Sequence, residues 1–306
     1  MQTAVVSPNT SSRRGAYLLL AAAIAIGSVS FTLVKVVLEQ LSPLGLATGR
    51  VVVSAGMFVA VVARAPWRRT PILRADRTRV VMCGLGGSAL FHIFFAWGQQ
   101  HVSVAIASIV MATMPTLVAI GEVAFLARRL TPRHVLGLVL STVGCAAIGL
   151  AAGGSGGSSL LGAGAIAMAA LIWAAVTVAT RSIATRYDSW WLNTPGTVLG
   201  ALLILAVEAP HLAEFGHLSL EVWLFVIWLG SASSAFIYFV MARVMTVFSA
   251  TTAMSLGTIV TPTSVMVAWV VLGDAPGPLE LVAGAVVVAG VVLVTHPGGR
   301  QAAPTS

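Results

Sequence analysis

Met111-Ala112-Thr113-Met114-Pro115-Thr116 is answered further along the chain by Thr258-Ile259-Val260-Thr261-Pro262-Thr263. The two prolines stand 147 residues apart, and the same spacing separates Gly137 from Gly284 and Ser108 from Ser255. A long-period repeat of this kind signals a duplicated structural unit. The chain around both copies is apolar: of 306 residues, 58% are hydrophobic and only 8% charged, against about a quarter charged in soluble domains. The duplicated unit is therefore a membrane unit.

A helical crossing needs about 20 mainly apolar residues. Breaks at charged or Gly/Pro/Ser positions leave ten such stretches, at residues 16–38, 43–63, 80–100, 104–127, 135–152, 161–180, 191–207, 222–241, 250–272 and 279–295. The expectation is an all-α integral membrane protein of ten transmembrane helices in two five-helix repeats, 16–152 and 161–295. A Gly/Ser linker at 153–160 joins them, and short tails lie at 1–15 and 296–306. Five crossings per unit insert the second copy upside down. Inverted repeats are an architecture of secondary transporters, which hold substrate between the halves near the midplane.

The basic residues orient the chain. Fifteen of the seventeen Lys and Arg residues fall in segments that ten crossings place on one side, and the other two, Lys35 and Arg50, lie within spans. The opposite loops carry Glu39, Glu208, Glu214, Glu221, Asp274 and Glu280. Because Lys and Arg in short loops stay in the cytoplasm, both termini are expected there. The net charge of +8 then reflects topology and anionic lipid headgroups, and no nucleic acid partner is implied. Arg13-Arg14 ahead of an apolar run resembles a signal peptide, but the run is long and nine further spans follow, so an uncleaved first helix is expected. The loop from Glu208 to Glu221, with His211 and His217, reads as a solvated connection. Trp190, Trp191, Trp223 and Trp228 read as interface-belt residues.

Several classes of chemistry are not indicated. Cys83 and Cys145 fall within spans without metal-ligand spacing and read as packing residues, so no metal or other cofactor is expected. The sequence has no Walker motif to drive transport with ATP. It also has no His-Glu-x-x-His or Gly-x-Ser-x-Gly run to suggest an intramembrane enzyme. A channel remains as a rival to a transporter.

The order of short motifs resembles the drug/metabolite transporter superfamily, specifically the EamA-type ten-helix exporters. In the first half the resemblance rests on Gly27-Ser28 with Phe31 and Lys35, Pro43 through Arg50, Ala105 to Pro115, Leu126 to Thr131, and Gly137 to Gly144. In the second it rests on Trp173-Ala174, Ser255 to Pro262, Leu272-Gly273-Asp274 and Gly284 to Gly290. Ile26 and Arg128 depart from the pattern, which has tryptophan and an acidic residue there. The resemblance implies export of small metabolites, amino acids including aromatic ones foremost, across a bacterial inner (plasma) membrane. Multidrug or sugar-type export on the same fold is the alternative it leaves open.

Charges within spans cost at least about 2.5–3.5 kcal/mol on insertion scales, so each is a candidate for function. Lys35, the sole lysine, either meets substrate or snorkels past Glu39 to water. Arg50 lies about 10 Å into its span at 1.5 Å per residue, and either clamps onto Glu39 or a carbonyl or binds substrate. Glu122 either relays protons or pairs with Arg128 or Arg129. His92 is either a proton-coupling group or a hydrogen-bonded core histidine. Phe31, Trp97, Trp173, Tyr238 and Trp269 are candidate cavity walls. Pro115 and Pro262 each remove a helical hydrogen bond and are expected to bend paired helices, with Met111, Met114, Thr258 and Thr261 lining the preceding turn.

Overall fold

The computed structural model describes residues 10–65, 70–102, 110–151, 160–272 and 277–295. Ser108, the Gly/Ser linker at 153–159 and Gly273-Asp274 lie outside the described residues, as do the side chains of Phe31 and Lys35.

Among the described residues the chain forms ten helices and no strand. The first half holds α1 (Thr10–Val37), α2 (Pro43–Arg64), α3 (Arg74–Leu85, Gly86–Leu90 and Phe91–Gln99 in one run), α4 (Met114–Leu126) and α5 (Pro132–Ala151). The second holds α6 (Leu160–Ile183), α7 (Ser189–Glu208), α8 (Leu220–Gly230, Ser231–Phe236 and Ile237–Val244 in one run), α9 (Ala250–Gly257 and Val260–Leu272) and α10 (Pro278–Thr295). Five of these runs are by themselves long and apolar enough to cross a membrane: α2, α3, α6, α7 and α8.

Polar side chains fix where helices begin. Ser42 caps α2, its hydroxyl accepting the Gly45 N–H at 3.0 Å ahead of Pro43 in the first turn. Asp188 caps the corresponding α7 through the N–H groups of Trp190 and Trp191. Ser219 and Ser249 do the same for α8 and α9.

Within a bilayer helices associate by close van der Waals packing, which small residues permit. Glycines mark the closest crossings here. A Cβ on Gly137 would lie 2.6 Å from the Gly290 carbonyl oxygen, and one on Gly144 would lie 2.7 Å from Val287, so α5 and α10 pack backbone against backbone. Gly84 on α3 meets Gly196 on α7 in the same way, while Gly49 on α2 receives Val226 of α8. The second helix of each half thus packs on the third helix of the other, and the last helices pair across the middle.

Two expectations are corrected, on the start of α3 and on Trp190. Helix α3 begins at Arg74, ahead of residue 80: Arg74, Arg77 and Arg79 stay exposed while Asp76 is tied to the α6–α7 connection. The buried Asp76 carboxylate accepts from Arg186 at 2.9 and 3.1 Å and from the Tyr187 hydroxyl at 2.8 Å. The connection after α7 is mostly exposed, as a solvated connection would be, and takes the form of a 3-10 segment, Ala209–His217, from which half-buried Phe215 joins the apolar cluster around Val222 and Val226. Trp190 is an interior residue, half-buried and stacked on Phe239 with ring centroids 4.6 Å apart, and Phe58 meets it edge-on at 5.5 Å.

Candidate functional site

Both third helices contain a π-helical turn, Gly86–Leu90 in α3 and Ser231–Phe236 in α8. Within α3 the Phe91 N–H reaches back five residues to the Gly86 carbonyl. A π-turn inserts a residue into the helical ladder and leaves polar groups without their usual axial partners, and such turns are often found at functional sites. Here the freed groups serve the opposite half. The Tyr238 hydroxyl on α8 donates to the Gly87 carbonyl on α3 at 3.2 Å. Ser233 and Ser234, inside the α8 turn, receive Arg50 of α2.

Arg50 Nε donates to Ser234 Oγ at 3.1 Å and Nη2 to Ser233 Oγ at 3.5 Å. This corrects the expected pairing with Glu39. Among the described residues no carboxylate stands within ion-pair distance of the guanidinium. Its titratable neighbours are Tyr238 and His92. His92 is 7% exposed, lies against the Gly87 carbonyl, and its Nδ1 has no hydrogen-bond partner. Phe91 covers the imidazole edge-on at 5.0 Å and joins Trp173 of α6 at 4.9 Å; Trp173 in turn lies 5.7 Å from Tyr238. The structure thus collects one cation, one imidazole, two serine hydroxyls and three aromatic rings into a single layer drawn from α2, α3, α6 and α8. Such a layer can hold an anionic group at Arg50 and an apolar one against the rings.

The space beside this layer is tight. A gap of about 40 Å³ is lined by Trp173, Thr177, Asn193, Tyr238, Met241 and Met254, far below the roughly 300 Å³ of the smallest ligand pockets. Below it, toward the arginine-rich end, the halves are latched. Glu122 on α4 caps α9, accepting from the Ala250 N–H at 2.8 Å, the Thr251 N–H at 3.1 Å and the Thr251 hydroxyl at 2.5 Å. Arg128, from the same half, also pairs with it, so the carboxylate is held within its own half while its three bonds to α9 join the two halves.

The opposite end carries an apolar cleft. It measures about 590 Å³ and lies between α2, α3, α6 and α7, with walls that include Leu44, Phe94, Trp97, Leu160, Met168 and Val207. Trp97 therefore occupies a different place from His92, and it stacks on His101 at 4.2 Å. Trp269 is 45% exposed on α9 and takes no part in the ring contacts around Trp173. Met111 packs with Val102 and Ile166, and Met114 is half-buried at the first residue of α4. Pro115 sits in the first turn of α4 and Pro262 just after the Thr258-Ile259 turn that divides α9. The Thr258 hydroxyl donates to the Ser255 carbonyl at 2.6 Å, and the Thr261 carbonyl accepts from Ser264 at 2.8 Å, so both serve the backbone at that break.

Sequence reasoning missed the π-turns and Ser233, Ser234 and Phe91. A signal was present: Gly84, Ser88, Ala89 and His92 match Gly230, Ser234, Ala235 and Tyr238 at a spacing of 146 residues. That register sets His92 and Tyr238 in equivalent positions, each two residues after the end of its π-turn.

Comparison with known proteins agrees with a duplicated membrane carrier. Over 282 residues the chain is 27% identical to a probable terminal-alkyne amino-acid exporter of Streptantibioticus cattleyicolor, covering 90% of this chain and 92% of that protein. It is 26% identical over 135 residues to an uncharacterized transporter of Archaeoglobus fulgidus, a match spanning 43% of this chain and 46% of that protein. A crystal structure 22% identical in sequence superposes with a TM-score of 0.76 over 92% of this chain and 96% of the other, which shows a shared fold. The model of the EamA-like transporter family matches twice, at residues 13–150 and 160–296. With ten helices in two corresponding halves and both halves matched, this chain belongs to the EamA-like transporter family.

Proposed function

We propose that this chain is a secondary exporter of small metabolites, amino acids foremost, working by alternating access between two inverted five-helix repeats. The observation that carries the reading is the layer joined by the two π-turns, in which Arg50, His92, Tyr238 and Trp173 converge from both halves. Charged and polar groups are costly inside a membrane and mark substrate pathways. An α-amino acid supplies a carboxylate and an amine to such groups and a side chain to the rings. The relative named as an amino-acid exporter supports the same class. The experiment is counterflow of radiolabelled amino acids in proteoliposomes. A saturable flux accelerated by unlabelled substrate on the far side is expected; unsaturable downhill leak would identify a channel instead.

Repeats of 16–152 and 161–295, an inner-membrane location and cytoplasmic termini complete the proposal. In a background lacking Cys83 and Cys145, Leu212→Cys should react with a membrane-impermeant maleimide added to intact cells. Arg133→Cys should react only after the cells are opened. The reverse pattern would refute the orientation.

Trp173 sets the apolar wall in this account. Each ring contact is worth about 0.5–1.5 kcal/mol beyond area burial. Trp173→Ala, which loses contacts to Phe91 and Tyr238, should lower discrimination between aromatic and aliphatic amino acids about tenfold in competition assays. Unchanged discrimination would remove Trp173 from the site.

A further inference from the structure

Among the described residues the Arg50 guanidinium is the one cation deep in the layer, and no described carboxylate balances its charge there. A guanidinium offers five N–H donors, of which the Ser234 and Ser233 hydroxyls take two. Those acceptors are neutral, and no acidic side chain pairs with Arg50 among the described residues. Beside it, the buried Nδ1 of His92 also lacks a partner. Two other buried charges are answered, Glu122 by Arg128 and the start of α9 and Asp76 by Arg186 and Tyr187; Glu208, at the far end of α7, is buried with neither carboxylate oxygen hydrogen-bonded among the described residues. A planar guanidinium left with free donors matches the geometry of a carboxylate, which it can hold through two parallel hydrogen bonds.

We infer that Arg50, positioned by the hydroxyls of Ser233 and Ser234 in the α8 π-turn, is the site that receives a substrate carboxylate. The inference rests on the transport reading for what the bound molecule is doing, and it narrows the substrates to those bearing one carboxylate. The two serines fix the guanidinium from one side without cancelling its charge, and Phe91 and Trp173 then face the remainder of the molecule. One cation balances one carboxylate; a phosphate dianion would call for a second positive group, and none of the described side chains in the layer supplies it. A structural clamp between α2 and α8 is the competing role for Arg50, and it makes no distinction between charged and neutral ligands.

The test is binding of tritiated L-phenylalanine to the purified protein in detergent, with 3-phenylpropionate, 2-phenylethylamine and inorganic phosphate as competitors. The first two share a ring and differ in the charged group. Competition by 3-phenylpropionate at least tenfold better than by 2-phenylethylamine is expected. Arg50→Gln should erase that preference and Arg50→Lys should keep part of it. Equal competition by acid and amine in the wild type overturns the inference without any variant, as does stronger competition by phosphate. A uniform loss for both competitors in Arg50→Gln assigns the clamp role and also overturns it. Wild-type protein that binds none of these ligands sinks this inference. Carboxylate-selective binding without flux in proteoliposomes would sink the transport reading and leave the site standing.

Discussion

Replacing Glu122 with alanine is expected to open the arginine-rich end of the protein and to cut transport at least tenfold. The carboxylate accepts two backbone N–H groups and a hydroxyl from the start of α9 and pairs with Arg128. Removing it strands all of them in a site where Glu122 itself is 2% exposed. A hydrogen bond to a charged group is worth about 1.5–3 kcal/mol, and every 1.4 kcal/mol is about a tenfold change in an equilibrium. The three bonds to α9 exist only while α4 and α9 touch, whereas the pair with Arg128 lies within the first half, so losing the former shifts the equilibrium toward arrangements in which the two helices part. Met254, beside the gap under Trp173, reports the change. With cysteine at 254, the Glu122→Ala variant should be labelled by a thiol reagent at least tenfold faster than its parent, and Glu122→Gln should fall between them. Equal labelling rates and equal flux would mean that the Glu122 contacts do not hold the end shut.

Gly84→Val is expected to abolish the folded protein altogether. A Cβ on Gly84 would overlap the Cα and carbonyl carbon of Gly196, so α3 and α7 would have to separate along their whole crossing. Overpacking against side chains that can turn aside costs about 1–3 kcal/mol. Backbone cannot turn aside, and this crossing adjoins the π-turn of α3 that supports the candidate site. Gly56 provides the control, since a Cβ there meets nothing within 4 Å. On size-exclusion chromatography Gly84→Val should lose its monodisperse peak while Gly56→Ala matches wild type. A monodisperse Gly84→Val protein with unchanged thermal stability would show that the α3–α7 crossing is looser than described.

These two residues mark what could be read from sequence and what could not. The repeat, the helix count and the placement of Pro115 and Pro262 follow from hydropathy and spacing, which are properties of the chain alone. The pairing of Glu122 with Arg128 was equally legible, because the partners lie six residues apart near one helix end. Its capping of α9, 128 residues away, was not. Arg50 shows the same limit more sharply. Its only nearby acidic residue in sequence is Glu39, and its actual partners lie 183 and 184 residues downstream. Those partners face it because α8 carries a π-turn, which depends on packing across the halves more than on local residue preference. The boundary of α3 was misread for a related reason. Its arginines read as a loop in the sequence, whereas Arg186 and Tyr187, from the α6–α7 connection, hold the buried Asp76 in the first turn of the helix.

In the proposed alternating access the two halves expose the π-turn layer in turn, closing one end as the other opens. Distances between spin labels, measured by double electron–electron resonance in nanodiscs, address it most directly. One label pair, at Phe125 and Thr252, spans the latched α4–α9 contact at the arginine-rich end. A second, at Gln100 and Leu160, spans the mouth of the apolar cleft at the other end. Adding a transported amino acid, or introducing Glu122→Ala, should lengthen the first distance while shortening the second. Distances that stay fixed at both ends, or that lengthen together, would contradict alternating access.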